Sequence, residues 1–291
     1  MKAKYPLFKL LTIDDLDLVR GYLENAPRTI CELSLTNIMM WRKFFSYTII
    51  NDNLCLKIST LDGQNYFYEP LGDHRIEETL DLCLRNCDKI FCASKGFVSN
   101  IESEKYNIIK LRDEFDYVYS TLELSELKGR KFDGKRNHIG KFFKKHPDCE
   151  VVELKKKHMN DVLSLFDIWS HKANSRDVGI SHFFQRFVLK DCFKYFHEYG
   201  LSGSAVFNKG ECIAFITGSI LNDDVVTVPL FYFHPDYPGV SQYLLTKACQ
   251  EDFSSFKFIN LEQDMGIAGL RKSKLSYYPV RLEEKFEIES K

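Results

Sequence analysis

The 291-residue chain is as informative in what it lacks as in what it holds. No stretch approaches the roughly 18 consecutive apolar residues that a membrane-crossing helix needs, so a lipid substrate would be met from the surface. The opening "MKAKYPLFKLLTIDD" carries only a short apolar run, broken by Lys9, and no small-residue cleavage site of the signal-peptide kind. A cytoplasmic location is expected, with peripheral contact at the inner membrane face left open. There is no Cys-x-x-Cys pair, and nine irregularly spaced cysteines, an odd number, suit reduced thiols better than a disulfide framework. Cys83, Cys87 and Cys92, with His74 nearby, read as buried thiols rather than a zinc site, and no metal is expected. No Gly-x-Ser-x-Gly elbow and no P-loop occur, which removes the commonest hydrolase and nucleotide-binding signatures. A formal net charge of -1 excludes a general polycation, so any anionic partner must be met by a local patch.

What is present is a chain with 44% apolar residues, 24 Phe and 15 Tyr, enough for a large core. The length suits one large domain or two of ordinary size. "TIDDLDLVRGYLENA" reads as an amphipathic helix with Thr12 at its cap and acids in its first turn. "CELSLTNIMMWRKFF" reads as a second helix. Strand-like runs follow, with turn signals at residues 51–53 and at Asp62-Gly63. "RIEETLDLCLRNC" returns to helical period, and "KIFCAS" and "YNIIKLRDEFDYVYST" are strands again. The order recurs: two helices ("KKHMNDVLSLFDIWSHK" and one from Ile180), a strand meander from Leu201, a helix from Gly239, and the strand "FKFINLE". Two α+β domains of one type are expected, 1-120 and 121-291, the second opening on a basic joining helix at about 127–147.

That joint carries Lys128, Arg130, Lys131, Lys135, Arg136, Lys141, Lys144 and Lys145 against Asp133 alone. On a helix from about 133, Ile139, Phe142 and Phe143 make one apolar stripe, while Lys135, His138, Lys141 and Lys145 make another face. Such a face suits a phosphate-rich partner, although most charge runs are merely solvated.

Two segments are more specific: "FDYVYSTLELSELKGRKFDGKRNHIGKF" and "FINLEQDMGIAGLRKSKLSYYPVRLEEKF". With "NIMMWRKFF" and "YFYEPLGD" in the first half, they resemble the DUF2156 family of bacterial proteins, similar to the C-terminal catalytic domain of phosphatidylglycerol lysyltransferases. The resemblance spans nearly the whole chain. It implies two tandem GNAT-like domains (the acyl-CoA N-acyltransferase fold), each a mixed, mostly antiparallel sheet flanked by helices, as in the Fem peptidyl transferases. It also implies transfer of an aminoacyl group from aminoacyl-tRNA to a lipid hydroxyl or an amine. Lysyltransferases of this class carry an integral-membrane domain ahead of the catalytic part. No such segment precedes the motifs here, which leaves the acceptor open.

Beside that resemblance, the residues distinguish between donors. An acyl-CoA site wants a glycine-rich turn opening a helix, so that backbone N–H groups reach the pyrophosphate. "FHPDYPGVSQYLL" offers Gly239 alone, and "PLGDHRIEETL" offers Gly72 alone, so acetyl-CoA is the weaker expectation. No cofactor is expected, with aminoacyl-tRNA as a donor substrate. Its ammonium wants carboxylates, and its acceptor end wants bases and aromatics. Glu262 and Asp264 are candidates for the ammonium, Arg271 for phosphate or carboxylate, and Tyr117, Tyr119 and Tyr277 for the cleft wall. Lys131, Lys135, Arg136, Lys141 and Lys272 are candidates for tRNA phosphates. His138 is a candidate base and Lys274 a candidate oxyanion stabiliser. The competing structural readings are that the two acids cap the helix begun by "GIAGLRKSKL", that Arg271 and Lys274 pair with those acids, and that the tyrosines are ordinary strand residues. Two further functions compete: an acyl-CoA-dependent N-acyltransferase, and a non-catalytic RNA- or lipid-headgroup-binding module.

Overall fold

The computed structural model describes residues 2–60, 63–172 and 182–291, so the expected Asp62-Gly63 turn and the start of the helix expected from Ile180 lie partly outside it. The described chain divides into two compact units. The first comprises residues 1–116, 263–266 and 282–291, and the second comprises 117–262 and 267–281.

The first unit runs β1 (Lys9–Leu10), α1 (Leu16–Glu24), α2 (Leu35–Met40), β2 (Phe45–Ile50), β3 (Asn53–Ser59), β4 (Asn65–Phe67), α3 (Ile76–Asn86), β5 (Lys89–Ser94), α4 (Lys95–Val98) and β6 (Tyr106–Lys110). The helix expected near Thr12 begins with a short 3-10 turn. Asp15 Oδ2 accepts from the Thr12 N–H at 3.0 Å and from its hydroxyl at 2.9 Å, which fixes the entry to α1. Val19 and Leu23, four apart on α1, face the core.

The second unit continues with β7 (Asp116–Ser120), α5 (Thr121–Glu126), α6 (Asp133–Lys145), β8 (Glu150–Glu153), α7 (Met159–Lys172), α8 (His182–Lys194), β9 (Ser202–Asn208), β10 (Glu211–Asn222), β11 (Val225–Phe233), α9 (Val240–Gln250), β12 (Phe258–Asn260) and α10 (Ala268–Leu275). The chain closes with β13 (Arg281–Glu283) and β14 (Lys285–Ser290). Two helices, a three-strand meander, a helix and a strand therefore occur in the same order in each half.

The first sheet has the order β1-β2-β3-β4-β5-β14-β6, antiparallel except for the β4–β5 pair. The second has the order β13-β7-β12-β11-β10-β9-β8, with a parallel β11–β12 pair. A single cut at 120/121 would leave the C-terminal strand with the second unit. β14 instead sits between β5 and β6, and Ile288 is buried in the first unit's core with Phe67, Leu80, Cys83 and Ile90.

A buried polar cluster fastens that strand. Lys285, with no solvent exposure, places its ammonium 2.6 Å from Glu32 Oε2 and 2.7 Å from Asp116 Oδ1. Cys31 Sγ lies 3.5 Å from the same ammonium and 3.3 Å from Gln263 Oε1, and the Cys31 N–H donates to Asp116 Oδ2 at 2.7 Å. All three stretches of the first unit thus meet in one cluster. Burial pushes the Glu32 carboxyl up, against the pull of Lys285. Burial works to lower the Lys285 ammonium, but the charges of Asp116, Cys31 and Glu32 outweigh it and hold it well above the ordinary lysine value.

Candidate active site

In the second unit β12 pairs with β11 only at Val225–Thr227, after which β11 continues alone on that side to Phe233. The two strands part at Thr227 and Asn260. Glu262 stands two residues past Asn260, and its backbone is unusual, a non-glycine residue at φ 60°. Three bonds hold its peptide groups there. Its N–H donates to Asn260 Oδ1 at 2.7 Å. Its carbonyl accepts from the Tyr117 N–H at 3.1 Å and from Lys274 Nζ at 3.0 Å. The Lys274 ammonium also donates to the Leu261 carbonyl and lies 5.7 Å from the centre of the Tyr117 ring. Thr227 Oγ1 sits 3.5 Å from Glu262 Oε1. Asn260 is fully buried and Glu262 is half-buried.

Lys274 is delivered by α10. The Tyr119 hydroxyl donates to the Lys274 carbonyl at 2.9 Å, and the Tyr119 and Tyr277 rings meet edge to face at 6.4 Å. Lys135 Nζ rests 3.6 Å from the Tyr277 ring centre and donates to Ser276 Oγ at 2.6 Å. Burial lowers the Lys135 ammonium from its ordinary value. Glu262, Lys274, Tyr117, Tyr119, Tyr277 and Lys135 therefore belong to one connected set of contacts. The tyrosines also serve as structure, since Tyr117 and Tyr119 are wholly buried strand residues.

Other candidates fall elsewhere. Asp264 has no exposed surface and belongs to the first unit. Its carboxylate accepts from the Gly266 N–H at 2.9 Å and from Arg112 Nη1 at 3.3 Å, so it shapes a turn rather than meeting a ligand. Neither acid caps α10, whose N-cap position is Ile267 without a side-chain cap. Arg136 closes its own loop, donating to the carbonyls of Leu127 and Gly129 and to Asp133. Lys131 pairs with Glu123 at 2.8 Å and lies over the Phe132 and Tyr278 rings. His138 and Lys141 are exposed on α6 and Lys272 is exposed on α10, while Arg271 is half-buried on α10. An exposed His138 outside the connected set is poorly placed as a base. Missed in the sequence were Asn260 and Thr227. A buried Asn ending the apolar "FKFIN" was the available signal.

Gly239, the sole glycine of the expected pyrophosphate turn, opens α9 at φ 100°. A Cβ there would lie 2.4 Å from the His138 carbonyl oxygen and 2.9 Å from Phe142 Cβ. The glycine thus admits α6 against the start of α9, and Phe142 stacks on Tyr243 at 5.8 Å. The close approach serves a helix of the same unit.

This architecture is the tandem GNAT, Fem-like fold. Residues 24–288 match the model of the phosphatidylglycerol lysyltransferase C-terminal family, and the chain belongs to that family. It is similar to a conserved protein of unknown function from Bacteroides thetaiotaomicron, with 27% identity, a TM-score of 0.87, and coverage of 98% of this chain and 99% of that one. The L-PGS structure from Bacillus licheniformis aligns at 13% identity and a TM-score of 0.67, over 94% of this chain and 91% of that one. FemX aligns at 9% identity and a TM-score of 0.62, over 97% and 96%. An uncharacterized protein from Mycoplasmoides gallisepticum is 25% identical over 167 residues, 56% of this chain, and the chain spans only 52% of that curated relative. No helix of the described residues is long and apolar enough to cross a membrane.

Proposed function

We propose that this protein transfers an aminoacyl group from aminoacyl-tRNA to a lipid hydroxyl or an amine. The observation that carries the reading is the half-buried Glu262, held in a strained backbone conformation beside the Lys274 ammonium where β11 and β12 part. Family membership and the Fem-like fold supply the reaction class. In this reading Glu262 receives the donor's ammonium as a charge-assisted bond. The acceptor's oxygen or nitrogen attacks the ester carbonyl, and Lys274 stabilises the oxyanion that develops. The bond to the tRNA ribose oxygen then breaks, and the proton lost by the acceptor ends on that oxygen. Lys135, Lys141 and Lys272 are the bases available for tRNA phosphates, with anionic lipid headgroups a second kind of contact for them.

Against an acyl-CoA donor stands the packing of α6 on Gly239, which fills the space that a pyrophosphate turn needs. Calorimetry with a charged tRNA and with acetyl-CoA separates the two. Binding of the tRNA, with none of acetyl-CoA at high micromolar concentration, is expected. The reverse pattern overturns the proposal.

A further inference from the structure

Asn260 has no role in the chemistry, yet it touches the residue that does. It ends β12, pairs across to Thr227 on β11 and Val118 on β7, and is fully buried. Its Oδ1 accepts the Glu262 N–H at 2.7 Å, spanning two residues to close a side-chain turn. That bond fixes a conformation that an L-residue adopts only under constraint, with φ at 60°. The other constraints act at the opposite side of Glu262, where its carbonyl meets the Tyr117 N–H and the Lys274 ammonium. Removing the amide oxygen takes away this hold on the Glu262 N–H. The backbone can then relax toward negative φ, which swings the Glu262 carboxylate away from Thr227 Oγ1.

We infer that Asn260 is the positioning residue for substrate recognition, locking Glu262 so that its carboxylate faces the ammonium of an aminoacyl donor. The inference rests on the function proposed above and adds the group that sets its selectivity. A neutral amide suits the task. What the turn needs is a side-chain acceptor oxygen in reach of the N–H two residues on, which an Asn or an Asp supplies.

The test titrates the full-length protein with lysinamide, which carries the ammonium groups of a lysyl donor, and with a short RNA ending in CCA. Wild type is expected to bind both. E262Q is expected to lose lysinamide binding and keep RNA binding. N260A is expected to bind lysinamide about tenfold more weakly, the scale of one hydrogen bond, with its RNA affinity unchanged. N260D keeps an acceptor oxygen in place, and is expected to bind lysinamide more tightly than N260A, or measurably where N260A does not fold. An N260A protein that binds lysinamide like wild type overturns the inference, as does one that loses lysinamide and RNA together, which marks a structural role only. A folded N260D with no lysinamide binding also overturns it. If wild type binds neither probe, the proposed function itself fails, which is a distinct result.

Discussion

At the scale of single residues, the site rests on two side chains with different duties. In the proposed reaction Glu262 would supply selectivity and Lys274 charge where the oxyanion forms. Replacing Lys274 by Gln keeps much of its length and its ability to donate to the carbonyls of Leu261 and Glu262. Steady-state kinetics of K274Q should show turnover reduced by about 10²–10³, the range for losing one oxyanion donor, with donor KM little changed. A turnover within a few-fold of wild type would remove Lys274 from the chemistry. The sequence exposed both residues because a charged group beside a glycine-spaced turn is conspicuous. It also offered Asp264 as an equal partner. The two acids stand two positions apart, and only the fold separates a half-buried Glu262 from a fully buried Asp264 held by Gly266 and Arg112. Arg136 shows the same limit. Its place in a basic run says nothing of the carbonyls of Leu127 and Gly129 that occupy it.

At the scale of elements, α6 and α9 show why a glycine can be mistaken for a ligand cradle. Gly239 is followed by a helix, as a phosphate turn would be, but the space over it is filled by the His138 carbonyl and by Phe142. G239A introduces a Cβ at positive φ into that contact, and thermal denaturation should report a loss of about 1–3 kcal/mol. An unchanged melting temperature would mean that α6 does not pack there. Helices and strands were largely legible from periodicity: α6 begins at Asp133 as its signal has it, α1 follows a 3-10 turn that starts just after Thr12, and the run from Tyr106 holds both β6 and β7. The pairing of strands was not, because period-2 patterning says which face is buried and never which neighbour is bonded. The insertion of β14 between β5 and β6 is of that kind.

At the scale of the whole molecule, the first unit is built from three separated stretches, and the Lys285 cluster joins them. Glu32 has a folded pKa raised above its ordinary 4.5 by burial. Between those two values the folded state holds a proton that the unfolded state has released. Stability from this group is therefore full below about pH 4.5 and is lost as pH rises through the folded value. Glu114, pushed up by burial, and Glu69, pushed up to about 7, act in the same direction. Urea denaturation of E32Q across this range should show a shallower fall with pH than wild type, and an identical slope would refute the assignment. Removing the cation by K285M leaves Glu32 and Asp116 buried without it, at a cost of about 3–5 kcal/mol. Deleting residues 282–291 should be more severe, abolishing cooperative unfolding of the first unit as followed by calorimetry, because it withdraws an interior strand. The central claim is nonetheless about chemistry, and one assay addresses it most directly. The full-length protein is mixed with radiolabelled aminoacyl-tRNAs and with vesicles of phosphatidylglycerol or a soluble amine acceptor, and the label is followed. The account predicts that label leaves the tRNA and appears on one acceptor, and that K274Q slows this transfer. Label that stays on the tRNA with every acceptor, while the same protein acylates an amine from acetyl-CoA, would contradict it.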